Sequence, residues 1–196
     1  DPQRPIFFIK CGSFPMTEVD TDMRKESAIK FVDLAAQFEG HRDEIMQCVE
    51  RVFVSGKFVG GEEVDLFEKE VADYCGVSHA VALNSGTDAL MLGMSVLGIG
   101  PGDEVITPPN SFIASTAAIA RLGATPIFAD VRDDMNIDPD KFAAAISPRT
   151  KAVMPVHLTG RIADMDPILE IAQKNNLIVV EDASQAFGSL DKEKIA

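Results

Sequence analysis

The chain has 196 residues, 46% of them hydrophobic and 25% charged, which excludes a disordered or fibrous protein and suffices for one substantial α/β domain. A formal charge of −13 argues against a general nucleic-acid binder and against attachment to anionic membranes. A small anionic ligand stays possible, because a helix end acts locally while distant charges are screened by salt.

Residues 1–30 are unpatterned, with charges gathered between Glu18 and Lys30, and read as an arm or partly disordered leader. From residue 31 to 196 the pattern is that of a folded domain. Ile45, Val49, Val52 and Phe53 form one helical stripe closed by Gly56, and Val64, Phe67, Val71 and Tyr74 form a second ending at Gly76. Both stripes are expected to pack as core. Strands and helices then alternate, with strands at 80–83, 104–107, 126–130, 152–156 and 177–181 and helices at 87–97, 111–122, 139–145 and 167–174. Asp138-Pro139 and Asp166-Pro167 each put a capping side chain before a proline at the first helical position. Such a βα repeat implies a mostly parallel sheet covered by helices, an α/β fold in three layers. Gly98-Ile99-Gly100-Pro101-Gly102 follows a helix and precedes a strand, so it is a cap and turn and not a dinucleotide fingerprint. A nicotinamide-dependent oxidoreductase is set aside on that ground. Cys11, Cys48 and Cys75 are far apart, lack metal-ligand spacing and read as buried free thiols of a reducing cytosol. No apolar run approaches a membrane span, and Asp1–Lys10 lacks the layout of a secretion signal.

Open parallel sheets bind ligands beyond the carboxyl ends of their strands. At the first such end, Asn84-Ser85-Gly86-Thr87-Asp88 joins a strand to a helix. It serves as an ordinary helix cap, or as a seat for a phosphate on unpaired N–H groups and the positive helix end. Phe112 is either a core aromatic or a ring for stacking on a planar ligand. His157 is a satisfied loop histidine or an active-site group. Asp182 follows the apolar run Leu177-Ile178-Val179-Val180; it caps a helix or is a satisfied hydrogen bonder, or it pairs with a protonated ring nitrogen as pyridoxal phosphate (PLP) requires. Gln185 would then donate to the phenolic oxygen of the same ring.

With these residues in order, the stretch from Phe31 to Leu190 resembles the DegT/StrS family of PLP-dependent sugar aminotransferases. The likeness rests on Phe31-Val32-Asp33-Leu34, Ser55-Gly56-Lys57-Phe58-Val59-Gly60-Gly61, Phe67-Glu68 with Ala72-Asp73-Tyr74, and Ser85-Gly86-Thr87-Asp88-Ala89-Leu90. It continues through Pro101-Gly102-Asp103-Glu104-Val105-Ile106, Gly123-Ala124-Thr125-Pro126, Thr150-Lys151-Ala152-Val153, His157-Leu158-Thr159-Gly160 and Glu181-Asp182-Ala183-Ser184-Gln185-Ala186.

The resemblance implies the large domain of a type I aminotransferase over 31–196, stopping before the C-terminal domain. It implies that Gly86, Thr87 and Asp88 hold the cofactor phosphate, Phe112 stacks on the pyridine ring, Asp182 pairs with its nitrogen and Gln185 lies near its phenolic oxygen. The implied reaction moves an amino group from glutamate to a keto group of a nucleotide-linked sugar, for surface-polysaccharide or antibiotic sugars, in a cytoplasmic homodimer. The family's Schiff-base lysine belongs to a Ser-Phe-x-x-x-Lys-type motif beyond Glu181-Asp182, and neither Lys192 nor Lys194 sits in one. No catalytic residue is therefore assigned, and the chain is expected to be an incomplete copy without transaminase turnover of its own. The alternatives are a non-catalytic protein of the same fold, or a dehydratase relative with histidine at the lysine position.

Overall fold

The computed structural model describes residues 30–192 together with 194 and 195. The arm expected over 1–30, apart from Lys30, and Cys11 lie outside the described residues. Two compact units meet in sequence at Val54/Ser55.

Among the described residues the first unit holds the helix α1 (Leu34–Ser55) up to Val54. Asp33 starts it: its Oδ1 accepts the Ala36 N–H at 3.1 Å, and its other oxygen meets Lys30 Nζ at 2.8 Å. The Lys30 ammonium and the Ala36 amide hold this carboxyl below its usual range. The helix buries none of its residues, and Ile45, Val49 and Phe53 are 42%, 41% and 69% exposed. The stripe is present as expected, but its packing as core is not. Helical spacing specifies a face able to be buried, not the surface that buries it.

The second unit opens with α2 (Glu62–Cys75), closed by Gly76 in the left-handed conformation at φ 66°. Only Ala72 of α2 is buried, while Phe67 and Tyr74 are more than half exposed. This stripe too falls short of the core placement expected of it. Tyr74 stacks instead on Phe187, with ring centroids 5.3 Å apart. Cys48 and Cys75 are free thiols, half-buried and not buried as expected.

After α2, residues 80–83 run into α3 (Gly86–Val96) without joining a ladder. The expected strand is missing because a strand exists only beside a partner. Here the Ala82 N–H goes to the carboxylate of Glu68 at 2.8 Å. The remaining elements follow the anticipated alternation: β1 (Glu104–Thr107), α4 (Ile113–Arg121), β2 (Thr125–Phe128), α5 (Pro139–Ala145), β3 (Thr150–Val153), α6 (Met165–Lys174) and β4 (Ile178–Val179). All pairings are parallel and the sheet order is β2-β1-β3-β4. A small antiparallel ribbon of β5 (Leu190–Asp191) and β6 (Lys194–Ile195) was not anticipated.

Strands β2, β3 and β4 end earlier than the expected 130, 156 and 181, at Phe128, Val153 and Val179. Pro155 has no N–H to give, so β3 stops before it, and pairing resumes only at the isolated Val156–Asp182 bridge. Asp138 caps α5 as read, accepting the Asp140 N–H at 2.8 Å. Asp166 does not cap α6. The helix starts at Met165 with Asp164 at the cap position, and Pro167 fits inside the first turn, where an N–H would lack a helical partner anyway. Asp166 instead bonds Lys192 Nζ.

Successive strand residues face opposite ways, and this divides the core in two. Val105 and Ala152 pack with Met94, Ala118 and Ile119 under α3 and α4. Ile106 and Val153 pack with Phe142, Ile168 and Ala172 under α5 and α6. The result is the three-layer parallel α/β arrangement expected. Because β2 lies on one side of β1 and β3 on the other, chain direction across the sheet reverses at β1/β3. A ligand crevice opens beyond the carboxyl ends at such a point.

At the opposite end of β1, Glu104 is buried and accepts from Arg149 Nε at 2.9 Å and from the Ser147 hydroxyl. The Ser147 hydroxyl, and after it Arg149, hold the Glu104 carboxyl below its ordinary value of 4.5. A carboxyl depressed in the folded state stabilises above its unfolded pKa and loses that contribution as pH falls through the folded one. Glu104→Gln is expected to lower the urea midpoint at pH 7, by a margin that narrows once pH drops below 4.5. A margin unchanged between neutral and acid pH would contradict this role.

Candidate functional site

Four segments meet at the carboxyl ends of the strands. The first is the start of α3. Ser85 is extended, and its Oγ accepts the Asp88 N–H at 3.1 Å, so it is a true cap. Among the described residues the N–H groups of Gly86 and Thr87 have no protein partner. They stand at the positive end of the helix, the arrangement that receives an anion. Gly86 is also tight against the fourth segment: a Cβ there would lie 3.3 Å from Ser184 Oγ.

The second segment follows β1. Phe112 occupies the cap position of α4 and is 69% exposed, which removes the reading of a core aromatic. Three residues later Ser115 is 1% exposed, and its Oγ donates to Asp182 Oδ2 at 2.8 Å. Ser111 Oγ lies 2.8 Å from Ser115 Oγ.

The third segment follows β3. His157 is fully buried, and its Nδ1 accepts the Ala163 N–H at 3.2 Å. That bond leaves the ring proton on Nε2, which donates to Glu181 Oε2 at 2.9 Å. His157 is thus the satisfied histidine of the two readings, a clamp joining the exits of β3 and β4. Next to it, Thr159 and Gly160 are left-handed at φ 57° and 84°. This turn offers the Thr159 N–H to Gln185 Oε1 at 2.8 Å. With its oxygen taken, Gln185 presents its amide NH₂ as donor.

The fourth segment follows β4. Asp182 is 6% exposed, and its backbone completes the parallel pairing through Pro155 O at 3.0 Å and the His157 N–H at 3.1 Å. Its Oδ1 accepts the Ser184 Oγ–H at 2.7 Å and the Ser184 N–H at 3.2 Å. Among the described residues no cationic side chain pairs with this carboxylate. Burying a carboxylate is costly unless donors or a cation meet it, and here only neutral donors do.

The cofactor-binding residues expected from the sequence are Gly86, Thr87, Asp88, Phe112, Asp182 and Gln185. The structure joins Gly86 to the Asp182 loop through Ser184, and joins the Phe112 turn to Asp182 through Ser115. Gln185 is tied to the turn after β3. Ser115 was not singled out. The signal was a hydroxyl four residues after Ser111, one helical turn along, in a helix that is mostly apolar. Among the described residues no group of three or more His, Cys, Asp and Glu side chains could hold a metal ion, and no helix is long and apolar enough to cross a membrane.

Fold and site together define a parallel α/β protein whose loops converge beyond the carboxyl ends of its strands, at the topological switch point. Residues 40–196 match the DegT/DnrJ/EryC1/StrS aminotransferase family, and the chain belongs to that family. It is 48% identical over 162 residues to GDP-perosamine synthase of Caulobacter vibrioides, covering 82% of this chain and 43% of that protein. It is 47% identical over 162 residues to dTDP-3-amino-3,4,6-trideoxy-alpha-D-glucose transaminase of Streptomyces venezuelae, again covering 82% and 43%. The crystal structure of NtdA from Bacillus subtilis with bound cofactor PMP superposes with a TM-score of 0.82 at 39% identity, covering 89% of this chain and 40% of that one. The chain thus spans less than half the length of the relatives it matches.

His157→Ala would remove a fully buried ring and both of its hydrogen bonds. A stability loss of about 3 kcal/mol is expected from urea unfolding. A loss under about 0.5 kcal/mol, the scale of a surface substitution, would show that the clamp does not hold the two strand exits.

Proposed function

We propose that this chain is the cofactor-binding part of a PLP-dependent aminotransferase that uses glutamate to aminate a nucleotide-linked keto-sugar, in polysaccharide or antibiotic-sugar synthesis. The observation that carries the reading is Asp182, a buried carboxylate at the switch-point crevice that meets neutral donors and, among the described residues, no cation. A protonated pyridine nitrogen is the partner such a group lacks.

The residues present fit PLP. The unpaired N–H groups of Gly86 and Thr87 suit its phosphate, with Asp88 in the same first turn of α3. A side chain at Gly86 would crowd Ser184 Oγ, at 3.3 Å from its Cβ, so glycine lets the backbone itself form that wall. The exposed Phe112 ring suits stacking on a flat heterocycle. The free NH₂ of Gln185 suits a phenolic oxygen. When bound, PLP supplies an electron sink and a carrier for the amino group. This chain's own part is to hold the phosphate, stack the ring against Phe112 and keep the ring nitrogen protonated through Asp182.

The substrate class follows the relatives, two of which are named for nucleotide-linked amino sugars. A homodimer and a cytoplasmic location belong to the same reading. The exposed apolar residues of α1 and α2 are in keeping with association.

Titrating the chain with PLP while following cofactor absorbance tests the reading. Saturable binding is expected, and Asp182→Ala should weaken it at least about tenfold through loss of a charge-assisted bond. Equal affinity of the two proteins would remove Asp182 from the site.

A further inference from the structure

The hydrogen bonds around Asp182 distinguish its two oxygens. A carboxylate accepts at about four lone-pair positions, two on each oxygen. Oδ1 is filled by the backbone N–H and the hydroxyl of Ser184, at 3.2 and 2.7 Å. Oδ2 receives one donor, Ser115 Oγ–H at 2.8 Å, and keeps one position open.

The donor direction is also fixed. A carboxylate only accepts, so Ser115 donates to it, and the Ser115 oxygen is then free to accept from Ser111, 2.8 Å away. Donors run from Ser111 to Ser115 to Asp182. Ser115 is buried in the first turn of α4, the helix that carries Phe112 at its cap. Among the described residues no lysine, arginine or histidine side chain reaches the carboxylate, and the nearby His157 ring is engaged with Glu181 and Ala163.

We propose that Ser115 and Ser184 are positioning residues that turn Asp182 so that Oδ2 alone faces the ring nitrogen of PLP, with Ser111 setting the direction of the Ser115 proton. The proposal rests on the PLP reading above and assigns roles that the family likeness did not supply. The α4 turn would thereby place the stacking ring and aim the carboxylate together, so that ring plane and nitrogen partner keep one fixed relation.

The test compares binding of PLP with binding of its deaza analogue, in which CH replaces the ring nitrogen, in the full chain. The wild type is expected to prefer PLP at least about tenfold, the worth of a charge-assisted bond. Ser115→Ala should lose about tenfold in affinity for PLP and nothing for the analogue, while Ser115→Thr, which keeps the hydroxyl, restores the preference. A purely structural role would weaken both ligands alike. Should Ser115→Ala not fold, Ser184→Ala decides, since Ser184 is exposed and its backbone N–H stays on Oδ1; about a threefold loss specific to PLP is expected. A wild type with no preference for PLP overturns the cofactor reading and this proposal with it. A wild-type preference that survives in Ser115→Ala, or in Ser184→Ala where that variant decides, overturns the positioning role alone.

Discussion

The buried carboxylate of Asp182 is the constraint around which the rest of the site is arranged. Left without donors, such a group would be expelled or neutralised. Here Ser115 and Ser184 approach it from two separate segments, and its own backbone is held between Pro155 and His157. Displacing α4, the exit of β3 or the loop after β4 would disturb at least one of these bonds. Asp182 therefore ties the architecture of the sheet to the chemistry of the crevice.

The sheet makes that meeting possible. Adjacent residues of β1 and β3 serve opposite cores, so each helical layer locks the strands from its own side. The order β2-β1-β3-β4 then leaves the loops after β1 and β3 diverging from a common seam. The start of α3 closes against this seam through Gly86 and Ser184, bringing the positive helix end to the same region as the carboxylate. A ligand with an anionic end and a cationic ring suits both ends of that arrangement.

Much of this was legible in the sequence. The βα repeat, the Ser85 and Asp138 caps and the left-handed Gly76 all follow from local chemistry, which acts over a few residues. Features that depend on distant partners were not legible. Residues 80–83 have the composition of a strand, yet Glu68 takes the Ala82 amide. The α1 stripe has the spacing of a buried face, yet it is exposed. Pro155 interrupts a run that otherwise reads as one strand, and Asp164 displaces Asp166 at a helix start because a proline fits anywhere in a first turn. In the site, Asp182 and Gly86 stood out by position. Ser115 did not, because its role depends on a residue 67 positions away.

The family likeness and the local geometry thus converge on one small region, from the α3 start to the Asp182 loop. A crystal structure of the chain grown with PLP tests that convergence most directly. The account predicts the phosphate on the N–H groups of Gly86 and Thr87 and the ring nitrogen within hydrogen-bonding distance of Asp182 Oδ2. A cofactor bound elsewhere, or one seated there with its nitrogen turned away from Asp182, would contradict it.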